Sequence, residues 1–230
     1  MPEQLKQLSR DDWATAIAII FHMIGLLGII FLERHGFIEL TPYNLLLSFG
    51  LLWWTRDEKD WGFILFLLLA VVLGLLSEVI GVNTGKLFGA YEYGRVLGPK
   101  FMGVPLVIGI NWFVITYGCG ILASWFIGNV LKEKLDTLYG HHQIIMIALM
   151  GSGLAVAFDW LLEPVAIKLG FWTWIGSGSV PAFNYMSWFL VSLLILMAFH
   201  VIPFDRKHPF ALRLFIIQIA FFLVLWIALP

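Results

Sequence analysis

Residues 61–80 read WGFILFLLLAVVLGLLSEVI, twenty positions at which Glu78 is the one ionisable side chain. As a helix rising 1.5 Å per residue, such a run covers roughly 30 Å, the thickness of a bilayer's hydrocarbon core. It therefore reads as a helix dissolved in lipid with an acid near its far end. Runs of the same character recur at 13–32, 103–127, 143–162, 183–202 and 210–229. A seventh, at 37–54, is interrupted near its start by Glu39, Thr41, Pro42 and Asn44, which leaves a clean stretch barely long enough to span. Composition agrees: 60% of the 230 residues are hydrophobic and 13% charged, with a mean hydropathy of +0.90, where a soluble domain carries roughly 25% charged residues. The expected fold is all-α, a polytopic bundle of about seven spanning helices in which residues 1–230 form one integral membrane domain.

Charge narrows the partners and sets the orientation. The formal net charge is −1 and the cations are scattered singly, so the dense basic surface that nucleic acid requires is missing and the bilayer is the expected surrounding. Cys119 is the one cysteine, which excludes an intrachain disulfide, a CxxC redox pair and a thiolate metal cluster. The N-terminus is polar through Asp12 and the following apolar run lacks a small-residue cleavage site, so it reads as a span and not as a signal peptide. With seven spans, Lys6, Arg10, Arg56, Lys59, Lys132, Lys134, Arg206, Lys207 and Arg213 lie on the N-terminal side, against Arg34, Lys86, Arg95, Lys100 and Lys168 opposite. That bias places the N-terminus in the cytoplasm of a multi-pass cell-membrane protein. It also brings the two longest polar connections, 81–102 and 163–182, to the same extracytoplasmic face.

Those connections resemble each other. One reads Glu78, Gly89-Ala-Tyr91-Glu-Tyr93, Val104-Pro105 and Trp112-Phe113; the other reads Glu163, Gly170-Phe-Trp172-Thr-Trp174, Val180-Pro181 and Trp188-Phe189. Each is an acid at a helix end, a Gly-x-aromatic-x-aromatic segment, and Val-Pro opening a helix, with equal spacing from Val-Pro to Trp-Phe. We expect a duplicated helix-loop-helix unit, copies at approximately 61–127 and 143–202, related by an axis along the membrane normal.

An ionisable side chain inside a membrane helix costs several kcal/mol unless paired or facing a polar cavity, so Glu78, Asp159 and Glu163 are the candidate catalytic groups. Glu78 and Asp159 each lie some 16 or 17 residues into their helices, which puts both at roughly 25 Å depth. Asp159 and Glu163 are four apart and share a helix face, although Pro164 is expected to disturb or end the helix at Glu163. Carboxyl groups beside hydrocarbon suit proton transfer, since desolvation disfavours a carboxyl's charged form. The plainer reading has these acids reaching the headgroups or pairing with Lys86, Arg95 or Lys168. Tyr91, Tyr93, Trp172 and Trp174 fit an interfacial aromatic belt, but their i, i+2 spacing also makes two ring walls that could hold a polyene and stabilise a cation. Trp112 and Trp188 join them as binding candidates, and Asn83, Asn111 and Asn184 as polar contacts for substrate or water.

Familiar chemistries fail. His141-His142 is the one adjacent histidine pair, so the clustered histidines of a di-iron membrane oxygenase are missing and no metal is expected. The last helix lacks the lysine of a retinal Schiff base, and no phosphate-binding glycine loop appears. The run Asp57-Glu58-Lys59-Asp60 lacks the paired aspartate motifs of membrane prenyltransferases and reads as a helix cap.

Two long motifs in order carry a family resemblance. Ser77-Glu78, Gly81-Val-Asn83-Thr84-Gly85, Phe88-Gly89-Ala-Tyr91-Glu-Tyr93, Leu97-Gly98-Pro99-Lys100 and Gly103-Val104-Pro105 form the first. Asp159-Trp160-Leu-Leu-Glu163-Pro164, Gly170-Phe-Trp172-Thr-Trp174 and Val180-Pro181 form the second. Together they resemble the membrane-bound carotenoid 1,2-hydratases over roughly 78–188, with Asn83 and Ala90 standing where many relatives carry His and Pro. The resemblance implies addition of water across the terminal C1–C2 double bond of an acyclic carotenoid end, without a cofactor. Lycopene, γ-carotene or a C50 relative would be the substrate, and other carotenoid enzymes would be neighbours. The competing readings are a transporter or channel for a small amphiphile, and a non-catalytic assembly partner.

Overall fold

The computed structural model describes residues 8–32, 34–57, 60–130, 140–176 and 179–229. Lys6, Lys59, Lys132 and Lys134 of the charge count and Glu58 of the acidic run lie outside the described residues. The helices are α1 (Arg10–Phe31), α2 (Arg34–Ile38), α3 (Thr41–Thr55), α4 (Trp61–Thr84), α5 (Val107–Val130), α6 (Gly140–Lys168), α7 (Ala182–Val201) and α8 (Pro209–Ala228). Four short strands accompany them, β1 (Tyr91–Tyr93), β2 (Lys100–Phe101), β3 (Val104–Pro105) and β4 (Trp172–Trp174). The all-α membrane bundle is the observed fold. Six helices, α1 and α4 to α8, are long and apolar enough to cross a bilayer. α5 is the central one: 78% of its spanning window is buried, against 33–39% for the others, whose remaining faces are left for lipid.

The interrupted segment 37–54 is resolved into a short helix α2 and the fifteen-residue α3, too short to qualify by length alone. Side-chain ties show where its ends lie. Arg10 at the start of α1 pairs with Asp57 beyond α3 at 2.5 Å, and Arg213 in the first turns of α8 pairs with Asp12 at 2.9 Å. Arg56 donates to the Asp205 carbonyl at 2.6 Å, after the end of α7. The starts of α1, α4 and α8 thus share one end of the bundle with the ends of α3 and α7, so α3 returns the chain to the side from which α1 departs. Asp60 caps α4 by accepting from the Phe63 amide at 2.7 Å, as the acidic run suggested.

At the opposite end the two polar connections pair with each other. β1 and β4 run antiparallel with Tyr91 opposite Trp174, Glu92 opposite Thr173 and Tyr93 opposite Trp172. Gly94 and Ile175 extend the ladder, their amides donating to the Phe171 and Ala90 carbonyls at 2.8 Å each. A side chain at Gly94 would run into the Gly170 carbonyl, so this pairing needs glycine there. β2 and β3 form a tight hairpin around Met102 and Gly103, both with positive φ. Here Val104-Pro105 is a strand and α5 opens two residues later, whereas Pro181 sits immediately ahead of α7 as expected.

Pro164 does not end its helix. α6 continues to Lys168 and closes there with the Phe171 amide on the Ala166 carbonyl at 2.9 Å, the Gly170 amide on Ile167 at 3.1 Å, and Gly170 at φ +72°. The bond lost at proline is tolerated in a helix held between neighbours and closed by a firm C-terminal cap. Asp159 and Glu163 consequently keep a true i, i+4 relation on one face.

At the N-terminal-side end, His208 bonds Thr55 through Nε2 at 2.9 Å and Tyr117 through Nδ1 at 3.0 Å, and Arg56 donates to Tyr117 at 3.3 Å. Burial, then the charge of Arg56, pushes His208 down to about 4 from the ordinary 6.5. A depressed histidine contributes stability that is complete above pH 6.5 and lost as the pH falls toward 4, because only the unfolded chain takes up the proton in that window. We expect the thermal midpoint in detergent to drop across that window, by an amount equivalent to roughly 3 kcal/mol at most, and His208→Gln to flatten the dependence. Separately, a Cβ at Gly74 would overlap the root of the Trp112 ring, so Gly74→Ala is expected to cost about 1–3 kcal/mol in an unfolding assay by forcing α4 and α5 apart.

Candidate active site

A buried carboxyl group needs hydrogen-bond donors, and in a helix the main chain has none to spare. Glu78, Asp159 and Glu163 are 4%, 1% and 2% exposed, and all three line one cavity of about 30 Å³. That is the volume of roughly one water molecule in the liquid. The β1–β4 pair supplies most of the donors. Glu78 Oε2 accepts from the Tyr91 hydroxyl in a short hydrogen bond and from Tyr93 at 2.8 Å, while Oε1 accepts from the Trp112 indole at 3.0 Å. Glu163 Oε2 accepts from the indoles of Trp172 and Trp174, both at 3.1 Å.

Each glutamate is therefore held by the aromatic pair of its own connection. Burial, then the adjacent Glu78, pushes the Tyr91 and Tyr93 phenols well above their ordinary range, so both remain neutral donors. Lys100 fixes this strand by donating to the Tyr93 carbonyl at 2.5 Å. Lys168, considered above as a partner for Glu163, instead donates to the Leu229 carbonyl at 2.7 Å.

Asp159 is held differently. Its Oδ2 accepts from Asn184 of α7 at 2.7 Å, and its Oδ1, fully buried, has no hydrogen-bond partner among the described residues. Trp112 and Trp188, at matching positions in α5 and α7, stack face to face with centroids 4.0 Å apart and planes at 17°. Tyr91 lies against Trp174 at 5.2 Å and Tyr93 against Trp172 at 5.9 Å. The rings do form walls, but their polar edges face the acids.

Of the residues singled out from sequence, the cavity gathers Glu78, Asp159, Glu163, Tyr91, Tyr93, Trp112, Trp172, Trp174, Trp188, Asn111 and Asn184. Asn83 is outside it. Asn83 is exposed, and its amide donates to the Val79 and Met102 carbonyls at 2.8 and 2.9 Å, tying the end of α4 to the β2–β3 hairpin and not to the acids. Sequence reading missed Phe88, which is 2% exposed at φ +65°, and the apolar lining from Ile108, Ile115, Phe158 and Leu162. Phe88 stood inside a quoted motif and could have been found. The other four look like any apolar residue in a membrane helix.

A polytopic membrane protein with a small cavity lined by three buried acids and roofed by paired aromatic strands is the class that the fold and site define. Residues 41–229 match the family described as carotenoid biosynthesis protein, and the chain belongs to that family. A stretch of 132 residues is 29% identical to bisanhydrobacterioruberin hydratase of Haloarcula japonica. It covers 56% of this chain and 41% of that protein, so the chain spans well under half of the relative's length. No solved structure matches the chain.

Removing one donor leaves a buried carboxyl oxygen short of a partner. Tyr93→Phe is expected to destabilise the purified protein by about 1–3 kcal/mol in an unfolding assay, and Tyr93→Phe in a Glu78→Gln background by measurably less. Equal losses in both backgrounds would show that the hydroxyl does not act through Glu78.

Proposed function

We propose that this protein is a carotenoid hydratase, adding water across the C1–C2 double bond of an acyclic carotenoid end without a cofactor. The single observation that supports it best is the contrast among the acids. Glu78 has donors on both oxygens and Glu163 has two indole donors on Oε2, whereas Asp159 keeps one fully buried oxygen unpartnered beside a water-sized cavity. Asp159 is accordingly the acid: its proton passes to C2, the π electron pair forms the new C–H bond, and a tertiary cation is left at C1. Water attacks C1, its oxygen forming the C–O bond, and its surplus proton goes to Glu163. Return of that proton from Glu163 to Asp159, one helical turn away, restores the starting state.

Glu78, held as an acceptor by three donors, stabilises the cation by charge, and the Trp112–Trp188 and Tyr91–Trp174 faces stabilise it through their π-systems. Regiochemistry follows from cation stability, since C1 carries three carbon substituents. We also read 61–127 and 143–202 as a duplicated unit. The reciprocal β1–β4 register, the matched Trp112–Trp188 stack and the parallel treatment of Glu78 and Glu163 support this. Asp159 breaks the symmetry: four residues before Glu163 stands an acid, four before Glu78 stands Gly74. The N-terminus is assigned to the cytoplasm and the protein to the cell membrane, on the clustering of Arg10, Arg56, Arg206, Lys207 and Arg213 at one end.

Co-expression in a lycopene-producing host is expected to give a more polar pigment, one water heavier per hydrated end. Asp159→Asn should lower product formation by about 10²-fold or more with the protein still present in membranes, and Glu78→Gln should do likewise. An unchanged pigment, together with uptake into proteoliposomes, would replace this reading with transport.

A further inference from the structure

The acid cavity is small, and a chamber of about 310 Å³ lies beside it, between α1, α3 and α8. This is within the range of small-molecule sites, roughly 300–1,000 Å³. The wall between the two is a pair of packed side chains thick. Phe158 lines the acid cavity and packs edge-on against Phe222, which lines the chamber, with centroids 5.7 Å apart. Phe171 of the chamber likewise meets Trp172 of the cavity at 6.3 Å.

The chamber is mostly apolar, yet three polar side chains converge on it: His22, Asn44 and Gln218. His22 Nδ1 lies 2.8 Å from the Ala18 carbonyl, which can only accept, so Nδ1 carries the proton and Nε2 is an acceptor. Asn44 meets that Nε2 with its Nδ2 at 3.5 Å, which fixes the amide's orientation and turns Oδ1 away. Asn44 Oδ1 and Gln218 Oε1 are both buried acceptors with no partner among the described residues. His22 is twelve residues into α1 and Gln218 nine into α8, hence roughly 14–18 Å from that end, near the middle of the hydrocarbon.

Unpartnered acceptors at this depth are costly, and the acyl chain of a phospholipid offers them no donor. The complementary occupant is an apolar chain bearing a hydroxyl. We propose that this chamber binds an isoprenoid tertiary alcohol through Asn44 and Gln218, and so receives the hydroxylated end as it leaves the acid cavity past Phe158. That the occupant is the reaction's own product rests on the hydration reading; the preference for an alcohol does not.

The probes are isophytol, a tertiary isoprenoid alcohol, and phytane, the matching hydrocarbon, bound to the purified full chain in detergent and measured by native mass spectrometry. Isophytol should bind about tenfold more tightly than phytane, and Asn44→Leu with Gln218→Leu should bring it down to the phytane level. Gly25→Leu is a second test that keeps the polar groups. A Cβ at Gly25 would stand 3.7 Å from Phe221 without a clash, so the larger side chain fills the chamber and should exclude both probes. Equal binding of the two probes, or an isophytol preference that survives the Asn44 and Gln218 substitutions, would overturn the proposal. Asp159→Asn separates the two readings: it should abolish hydration and leave isophytol binding unchanged. A chain that prefers isophytol but never hydrates keeps the chamber and loses the hydratase.

Discussion

Three carboxyl groups share one small cavity inside the membrane, and most of the architecture at that end follows from the need to give them donors. Water cannot reach them freely, and their own helices have no spare amide groups at that depth. The donors come from tyrosine hydroxyls and tryptophan indoles carried on two short strands that pair across the top of the bundle, and from one more indole in α5. These side chains are apolar enough to sit beside lipid and still carry one directed O–H or N–H. The strand pair in turn depends on Gly94, where backbone meets backbone too closely for a side chain.

The same arrangement separates roles among otherwise similar acids. Glu78 has three donors and Glu163 two, whereas Asp159 is held by Asn184 alone and its Oδ1 is fully buried without a partner among the described residues. A constellation in which one acid is free to exchange a proton, and its neighbours are fixed as acceptors, is what acid-catalysed addition of water needs. The proposed hydration also needs its cation shielded, and the stacked indoles and the Tyr91–Trp174 contact provide aromatic faces at the cavity wall. Behind Phe158 and Phe222 lies the larger apolar chamber, which has room for more of a long apolar chain than the acid cavity does.

Much of this was legible in the chain. Helices in lipid announce themselves by length and hydropathy, and an acid in such a run stands out because its cost is high. The paired Gly-x-aromatic-x-aromatic segments could be aligned by spacing alone. Other features were not legible. Pro164 argued for a helix end at Glu163, and a Schellman cap five residues further on overrode it. Asn83 stood within a motif, but its place outside the cavity, bonded to a carbonyl of its own helix and one of the β2–β3 hairpin, could not be read from the chain. Phe158 and Leu162 carry no mark that distinguishes a cavity wall from a lipid-facing surface.

By itself the sequence determined the solvent, the number of long apolar helices, the three acids and the aromatic pairs that accompany them, because each depends on local composition and spacing. Tertiary structure alone decided that the aromatic rings point their polar edges at the acids, that Asp159 differs from the two glutamates, and that a second chamber lies just behind the Phe158–Phe222 pair. The reason is physical. Burial can be inferred from a run of residues, but the partner of a buried polar atom is set by which helices are neighbours, and those partners lie 34 residues away for Glu78 and Trp112 and 153 for Thr55 and His208.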